Sequence, residues 1–134
     1  MNRRRREGTQ SLDALSHEVI GAAMAVHSEL GAGLLESAYE HCLLYELNKR
    51  GLKAEAQIML PISYDGQTID AGYRIDLMVE DTIIIELKTV DKLLPIHTAQ
   101  LLSYLKMADK ELGLLINFNV TSLRHGIKRI ANDL

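Results

Sequence analysis

The segment from Thr82 to Val90 constrains the fold of this chain more than any other. Ile83, Ile84, Ile85 and Leu87 make it nearly all apolar. A short run of that kind is a strand covered on both faces, and therefore central in its sheet. Two charges, Glu86 and Lys88, interrupt it. A buried charge is costly unless it is paired or bound to a metal, so the pair marks either a strand end rising to water or a site. Spaced two apart, the two side chains leave the same face of the strand.

A second anomaly precedes it. Asp76 stands between Ile75 and Leu77, in a segment from Ile69 to Val79 that reads as the previous strand of a hairpin. Loop length then decides whether the charges meet. A two-residue loop at Glu80-Asp81 sets Asp76 opposite Ile85, on the wrong face, whereas a three-residue loop centred on Asp81 sets it opposite Glu86. The site requires the odd loop, or a bulge with the same effect.

Two facing carboxylates repel. A divalent cation between them removes the repulsion, and hard oxygen ligands suit Mg²⁺ or Mn²⁺. Asp76 and Glu86 are the candidate metal ligands, with the backbone carbonyl of Leu87 as a further oxygen. Such an ion acidifies a bound water and stabilises charge on a phosphate oxygen. Lys88, beside it, is placed to orient or deprotonate that water and to stabilise the transition state.

The rest of the chain supplies a frame. Leu12, Leu15, Val19, Ala22, Ala23, Val26 and Leu30 recur at helical spacing behind Ser11 as N-cap, and Gly31-Ala32-Gly33 ends that helix. A second helix runs from about Leu34 to Arg50, with Leu35, Ala38, Cys42, Leu43 and Leu47 as buried positions and Gly51 after it. Ala56 to Tyr64 alternates as a strand, in which Pro61 favours an edge or a bulge, and Asp65-Gly66 is a hairpin turn. A third helix spans about Ile96 to Asp109. Gly113 to Asn119 is an apolar strand expected beside Thr82 to Val90, with that helix as crossover. Leu123 to Ala131 fits a helix or an edge strand, and its basic run favours the strand. The order α-α-β-β-β-α-β-β predicts an α/β domain with one mixed central sheet flanked by helices.

At 134 residues the chain is one domain by default, here residues 11–134 behind a flexible basic arm at 1–10 that holds Arg3, Arg4, Arg5 and Arg6. With no Trp and one Phe, the core rests on Leu, Ile, Val and Ala. The single cysteine, Cys42, excludes an internal disulfide or a cysteine-based zinc or iron–sulfur site within one chain, and reads as a buried thiol. A net charge of -3 argues against a passive coat on DNA, but not against an enzyme whose metals supply local positive charge. No apolar signal core follows the arginines and no apolar run is long enough for a bilayer, so a cytoplasmic setting without a membrane partner is expected.

Two helical stripes carry polar groups toward the sheet. Glu36, Tyr39, Glu40 and Leu43 share one, and His97, Gln100 and Tyr104 share the other. His27 is a weaker candidate from the first helix, and His17, His41 and His125 show no metal-ligand spacing with it.

Together these residues resemble a known family. Gly33-Leu34-Leu35-Glu36-Ser37-Ala38-Tyr39 fits the motif that names the GxxExxY proteins. The likeness runs from about Val19 to Ile130, through Tyr73-Arg74-Ile75-Asp76-Leu77, Ile85-Glu86-Leu87-Lys88, the segment from Ala99 to Lys106, and Gly113 to Phe118. That family is similar to a compact branch of the PD-(D/E)xK nuclease superfamily. The resemblance implies a restriction-endonuclease-like core, with Asp76 and Glu86 as metal ligands and Lys88 as the catalytic lysine. Gln100 and Tyr104 match the Gln-x-x-x-Tyr element of RecB-like nucleases, which lies near the site and the DNA. Glu36 resembles the extra acidic residue that many members supply from an N-terminal helix. Tyr39 is the motif tyrosine. With Tyr104, Gln100 and Arg74 it is a candidate for touching nucleic acid. Ala32 stands where the family often has proline, Thr98 where glutamate is frequent and Asn119 where glycine is, and none of these removes a metal ligand.

The leading expectation is a Mg²⁺- or Mn²⁺-dependent nuclease acting on nucleic acid, DNA before RNA. Lys88, Asp76, Glu86, Gln100 and Tyr104 form its catalytic set, with Asp76, Glu86, Leu87 and Glu36 around the metal. The alternative is a nucleic-acid-binding or assembly module that keeps the nuclease fold and does little catalysis. Cutting both strands of a duplex needs two sites, which a homodimer supplies.

Overall fold

The computed structural model describes residues 11–132. The basic arm at 1–10 and residues 133–134 lie outside the described residues. Ser11 starts the first helix, α1 (Leu12–Leu30): its Oγ accepts the Ala14 N–H at 3.1 Å, and Asp13 adds negative charge in the first turn. Both features stabilise a helix N-terminus. The helix stops at Gly31, whose φ of 71° costs a glycine little and a side chain more. After residues 32–35 comes α2 (Glu36–Lys49). Leu35 departs from the expected buried position: it caps α2 from outside and is 77% exposed. Cys42 is half-buried at the margin of the core rather than enclosed.

The strands are β1 (Ala54–Met59), β2 (Ile62–Tyr64), β3 (Gln67–Ile69), β4 (Arg74–Val79) and β5 (Ile83–Lys88), then β6 (Leu112–Asn117) and β7 (Ile127–Ala131) beyond a third helix, α3 (Pro95–Ala108). Two expected strands are each split. Leu60-Pro61 separates β1 from β2, because proline has no N–H for a ladder. A turn at residues 70–73, in which the Gly72 N–H donates to Asp70 Oδ1 at 3.0 Å, separates β3 from β4. β2 and β3 pair only with each other, across Asp65-Gly66. The ambiguous C-terminal stretch opens as a 3-10 turn (Leu123–Gly126) and continues as strand β7.

The main sheet has the order β1-β4-β5-β6-β7. β5 and β6 are parallel, joined by α3 as crossover, and the other neighbours are antiparallel. β5 is central, as its composition demanded, and its Ile83, Ile84, Ile85 and Leu87 are all buried. Ile83, Ile85 and Leu87 face the layer of α1 and α2, where they meet Leu15, Val19, Leu43 and Leu47. Ile84 faces α3 through Leu101, Tyr104 and Leu105. Each such side chain contributes about 1.5–3 kcal/mol by leaving water. Gly113 on β6 lets α3 approach: a Cβ there would stand 2.9 Å from a methyl of Leu101. Among the described residues no helix is long and apolar enough to cross a membrane.

Candidate active site

The pairing of β4 with β5 runs Leu77↔Ile85, Met78↔Ile84 and Val79↔Ile83, which leaves Glu80, Asp81 and Thr82 as a three-residue loop. This is the odd loop that the site requires, and the same register carried one pair further sets Asp76 against Glu86. There the regular ladder stops and the carboxylates replace it. The Asp76 N–H donates to Glu86 Oε2 at 3.0 Å, and the Leu87 N–H donates to Asp76 Oδ2 at 2.8 Å. Each carboxylate thus accepts from the backbone of the opposite strand, which fixes both heads where the strands part.

β1 is distorted at the same level. Its pairing with β4 runs through Ala56↔Leu77, skips Gln57 and Asp76, and resumes at Ile58↔Ile75. Gln57 has φ 54°. Ala56 and Leu77 pack into the α1–α2 core, whereas Ile58 and Ile75 pack into the α3 core. Residues two apart in a regular strand share a face, so both strands turn over at this step.

Charge accumulates around the distortion. Glu86 is 5% exposed, and burial first, then the facing Asp76, push its pKa up to about 8, against the opposing Asp76 N–H and the Lys88 ammonium. Burial also raises the Asp76 pKa, opposed by the Leu87 N–H and then by Lys88. Glu36, the first residue of α2, is raised by burial and then by Asp76. Glu40 is raised chiefly by burial. The Gln57 amide donates to Glu40 Oε1 at 2.8 Å, and its proximity lowers the Asp76 pKa against the effect of burial. From the α3 layer, Tyr104 accepts the Gln100 amide at 3.3 Å, and its phenol pKa is raised by burial and then by Glu86. Tyr73 packs edge-on against Tyr104, with ring centroids 5.9 Å apart. Among the described residues no group of three or more His, Cys, Asp and Glu side chains stands ready to hold a metal ion. Asp76 and Glu86 are assembled, while Glu36 is felt through its charge.

The sequence profile of the PD-(D/E)XK nuclease superfamily matches residues 13–130. The chain belongs to that superfamily. Among solved structures it is similar to the crystal structure of SSO0001, at 24% identity and a TM-score of 0.56, over 99% of this chain and 63% of that chain. At that identity the likeness bears on the fold alone, and the fold is of the restriction-endonuclease-like, PD-(D/E)XK type. The chain therefore spans 63% of the length of SSO0001. No curated protein matches it.

Within this superfamily fold the remaining candidates fall into place unevenly. Tyr104 feels the charges of Glu86 and Asp76 from α3, and Gln100 donates to its oxygen. Leu87 offers its backbone alone, because its side chain is in the core. Arg74 is exposed and folds back on its own segment: its Nη1 donates to the Tyr73 carbonyl at 2.9 Å and stands 3.7 Å from Asp70 Oδ1. Tyr39 departs from the expectation of a nucleic-acid contact. It is fully buried, stacked on Phe118 with centroids 4.4 Å apart. Its hydroxyl donates to the Gly31 carbonyl at 2.6 Å and accepts the Leu34 N–H at 3.1 Å. With no free surface, it ties the α1–α2 turn together and so sets where Glu36 begins α2. His27 is likewise a satisfied core residue, its Nε2 2.8 Å from the Val120 carbonyl oxygen. His97 caps α3 by accepting the Leu94 N–H at Nδ1, 2.9 Å.

Two neighbours of the site, Gln57 and Tyr73, were not among the candidate site residues, and Glu40 was placed on the Glu36 stripe without a role. Glu40 had a signal, since it lies one turn after Glu36 on the same stripe. Gln57 had none, because an alternating strand pattern does not reveal a left-handed φ.

Proposed function

We propose that the protein is a nuclease dependent on Mg²⁺ or Mn²⁺ that hydrolyses phosphodiester bonds in nucleic acid, DNA before RNA, and that it stands with the GxxExxY proteins in its superfamily. The observation that supports this best is the reciprocal Asp76–Glu86 arrangement. Two carboxylates, one of them 5% exposed, are held at parted strand ends with Lys88 on the same strand. The available donors are carboxylate oxygens and the Leu87 carbonyl, all hard, and the Lys88 ammonium leaves both carboxyl pKa values raised; that chemistry fits a small divalent cation. Asp76 and Glu86 would hold it, with Glu36 of α2 as the further acidic group whose charge reaches the site.

When bound, such an ion polarises the phosphate and acidifies a water. The chain's own groups do the rest. With such an ion bound, Asp76 and Glu86 would lose their raised pKa values, carry negative charge and hold the ion between the strands. Lys88 donates to a non-bridging phosphate oxygen and holds the water in line, so that its charge stands where negative charge develops. Because Gln100 donates to the Tyr104 oxygen, the phenolic hydrogen is left to donate to a neighbouring phosphate.

The test incubates purified protein with single- and double-stranded DNA and RNA in Mg²⁺, Mn²⁺ or EDTA. Cleavage is expected with metal, faster on DNA, and absent in EDTA. Lys88→Ala is expected to lose about 100-fold or more in kcat, with circular dichroism unchanged. Cleavage by that variant at the wild-type rate would remove the proposed site, and binding without turnover in either metal would favour an assembly module instead.

A further inference from the structure

We infer that Gln57 is a positioning residue: its side-chain amide clamps the Asp76 carboxylate to Glu40 and so sets the angle at which Asp76 meets Glu86. The inference rests on the reading of Asp76 as part of a nuclease site.

Gln57 sits inside β1 with φ 54°, a conformation that suits glycine and that other side chains disfavour. A glycine there would cost the backbone less. The chain carries an amide instead, and that amide reaches two carboxylates on different elements. Its Nε2 donates to Glu40 Oε1 at 2.8 Å, on α2, and the residue stands across from Asp76 of β4 at the skipped pair, where its amide favours the charged form of the Asp76 carboxyl. An amide nitrogen carries two N–H donors, enough for one each. The reverse orientation would turn the amide oxygen toward two carboxylates, so Glu40 fixes which end faces Asp76. The skipped pair Gln57/Asp76 and the change of layer on both strands follow from this local geometry. Backbone strain retained at such a point signals a function that outweighs it.

The choice of an amide also has an electrostatic reason. A lysine or arginine at this position would donate equally well but would neutralise the carboxylates and compete with a cation. A neutral amide holds Asp76 in place and leaves its charge available. Groups that orient metal ligands typically change affinity by about 10–100-fold when removed.

The test uses Gln57→Gly, which relieves the backbone while deleting the amide. Its melting temperature is expected to equal or exceed that of the wild type. Its Mn²⁺ dissociation constant, by titration calorimetry, is expected to rise about tenfold or more, and its kcat to fall with KM for DNA unchanged. Wild-type Mn²⁺ affinity in this variant would overturn the inference. A second measurement needs neither metal nor activity. In the metal-free full chain, the side-chain amide protons of Gln57 are followed by ¹⁵N-edited NMR in Asp76→Asn and Glu40→Gln. Each substitution is expected to shift a Gln57 amide resonance, and the absence of a shift in either one would overturn the clamp. A wild-type protein that binds no Mn²⁺ would sink the nuclease reading, and the amide resonances would still decide the role of Gln57.

Discussion

At Glu86, burial and a facing carboxylate act in the same direction, and the result is a carboxyl that holds its proton up to about pH 8 in the metal-free protein. The unfolded chain releases the same proton near 4.5. The folded state is therefore the better proton binder between those values, so its stability is fully present below about pH 4.5 and falls as pH rises to about 8. The loss is on the order of a few kcal/mol, and the raised Asp76 adds to it in the same direction. Thermal melts in EDTA are expected to show this decline. Glu86→Gln, which keeps an oxygen for the Asp76 N–H, is expected to flatten it and to raise the melting temperature at pH 8. A wild-type protein as stable at pH 8 as at pH 5 would contradict the burial of this carboxyl. The meeting of Asp76 and Glu86 was legible in the sequence because a charge inside an apolar strand violates a simple rule. Tyr39 was misread because a tyrosine on a polar stripe looks like a contact residue. Its hydroxyl in fact completes two backbone hydrogen bonds inside the fold.

Among the elements, the β4–β5 hairpin is where one residue of length matters most. Ile83, Ile84 and Ile85 are interchangeable between the two faces, but Glu86 and Leu87 are not: Leu87 belongs to the α1–α2 core and Glu86 to the site. Deleting Asp81 shortens the loop to even length and would drive Glu86 into that core while expelling Leu87. Such a variant is expected to lose its cooperative melt. Inserting two glycines beside Asp81 keeps the parity and costs about 0.5–1 kcal/mol of loop closure, a fall of a few degrees in melting temperature. Equal stability of the two variants would mean that parity does not hold the site together. The three helices, the central β5 and the crossover to β6 were readable from periodicity and from the density of apolar residues. The splits at Leu60-Pro61 and at residues 70–73 were not, because alternation continues across both breaks and only the pairing partners change.

Taken as a whole, the molecule is acidic, and its site makes it more so locally. The chain's net charge is -3, and Glu36, Glu40, Asp76 and Glu86 gather around a single Lys88. A phosphate approaching that cluster without a cation would meet repulsion, whereas a divalent ion at the proposed Asp76–Glu86 site would reverse the local sign. Composition alone argued against a passive DNA coat, but it did not reveal how much of the negative charge would collect at one place, since Glu36 and Glu40 reach the site only through the packing of α2 on the sheet. The consequence is that metal should control nucleic-acid binding as well as cleavage. Ca²⁺ takes the same hard oxygen ligands with looser geometry, so it can fill the site for a binding measurement. At constant ionic strength, the dissociation constant for a short DNA duplex is expected to be about tenfold or more lower in Ca²⁺ than in EDTA, and Asp76→Ala is expected to abolish the difference. Tight binding in EDTA with a steep salt dependence would instead place the main phosphate contacts on basic groups away from the carboxylates.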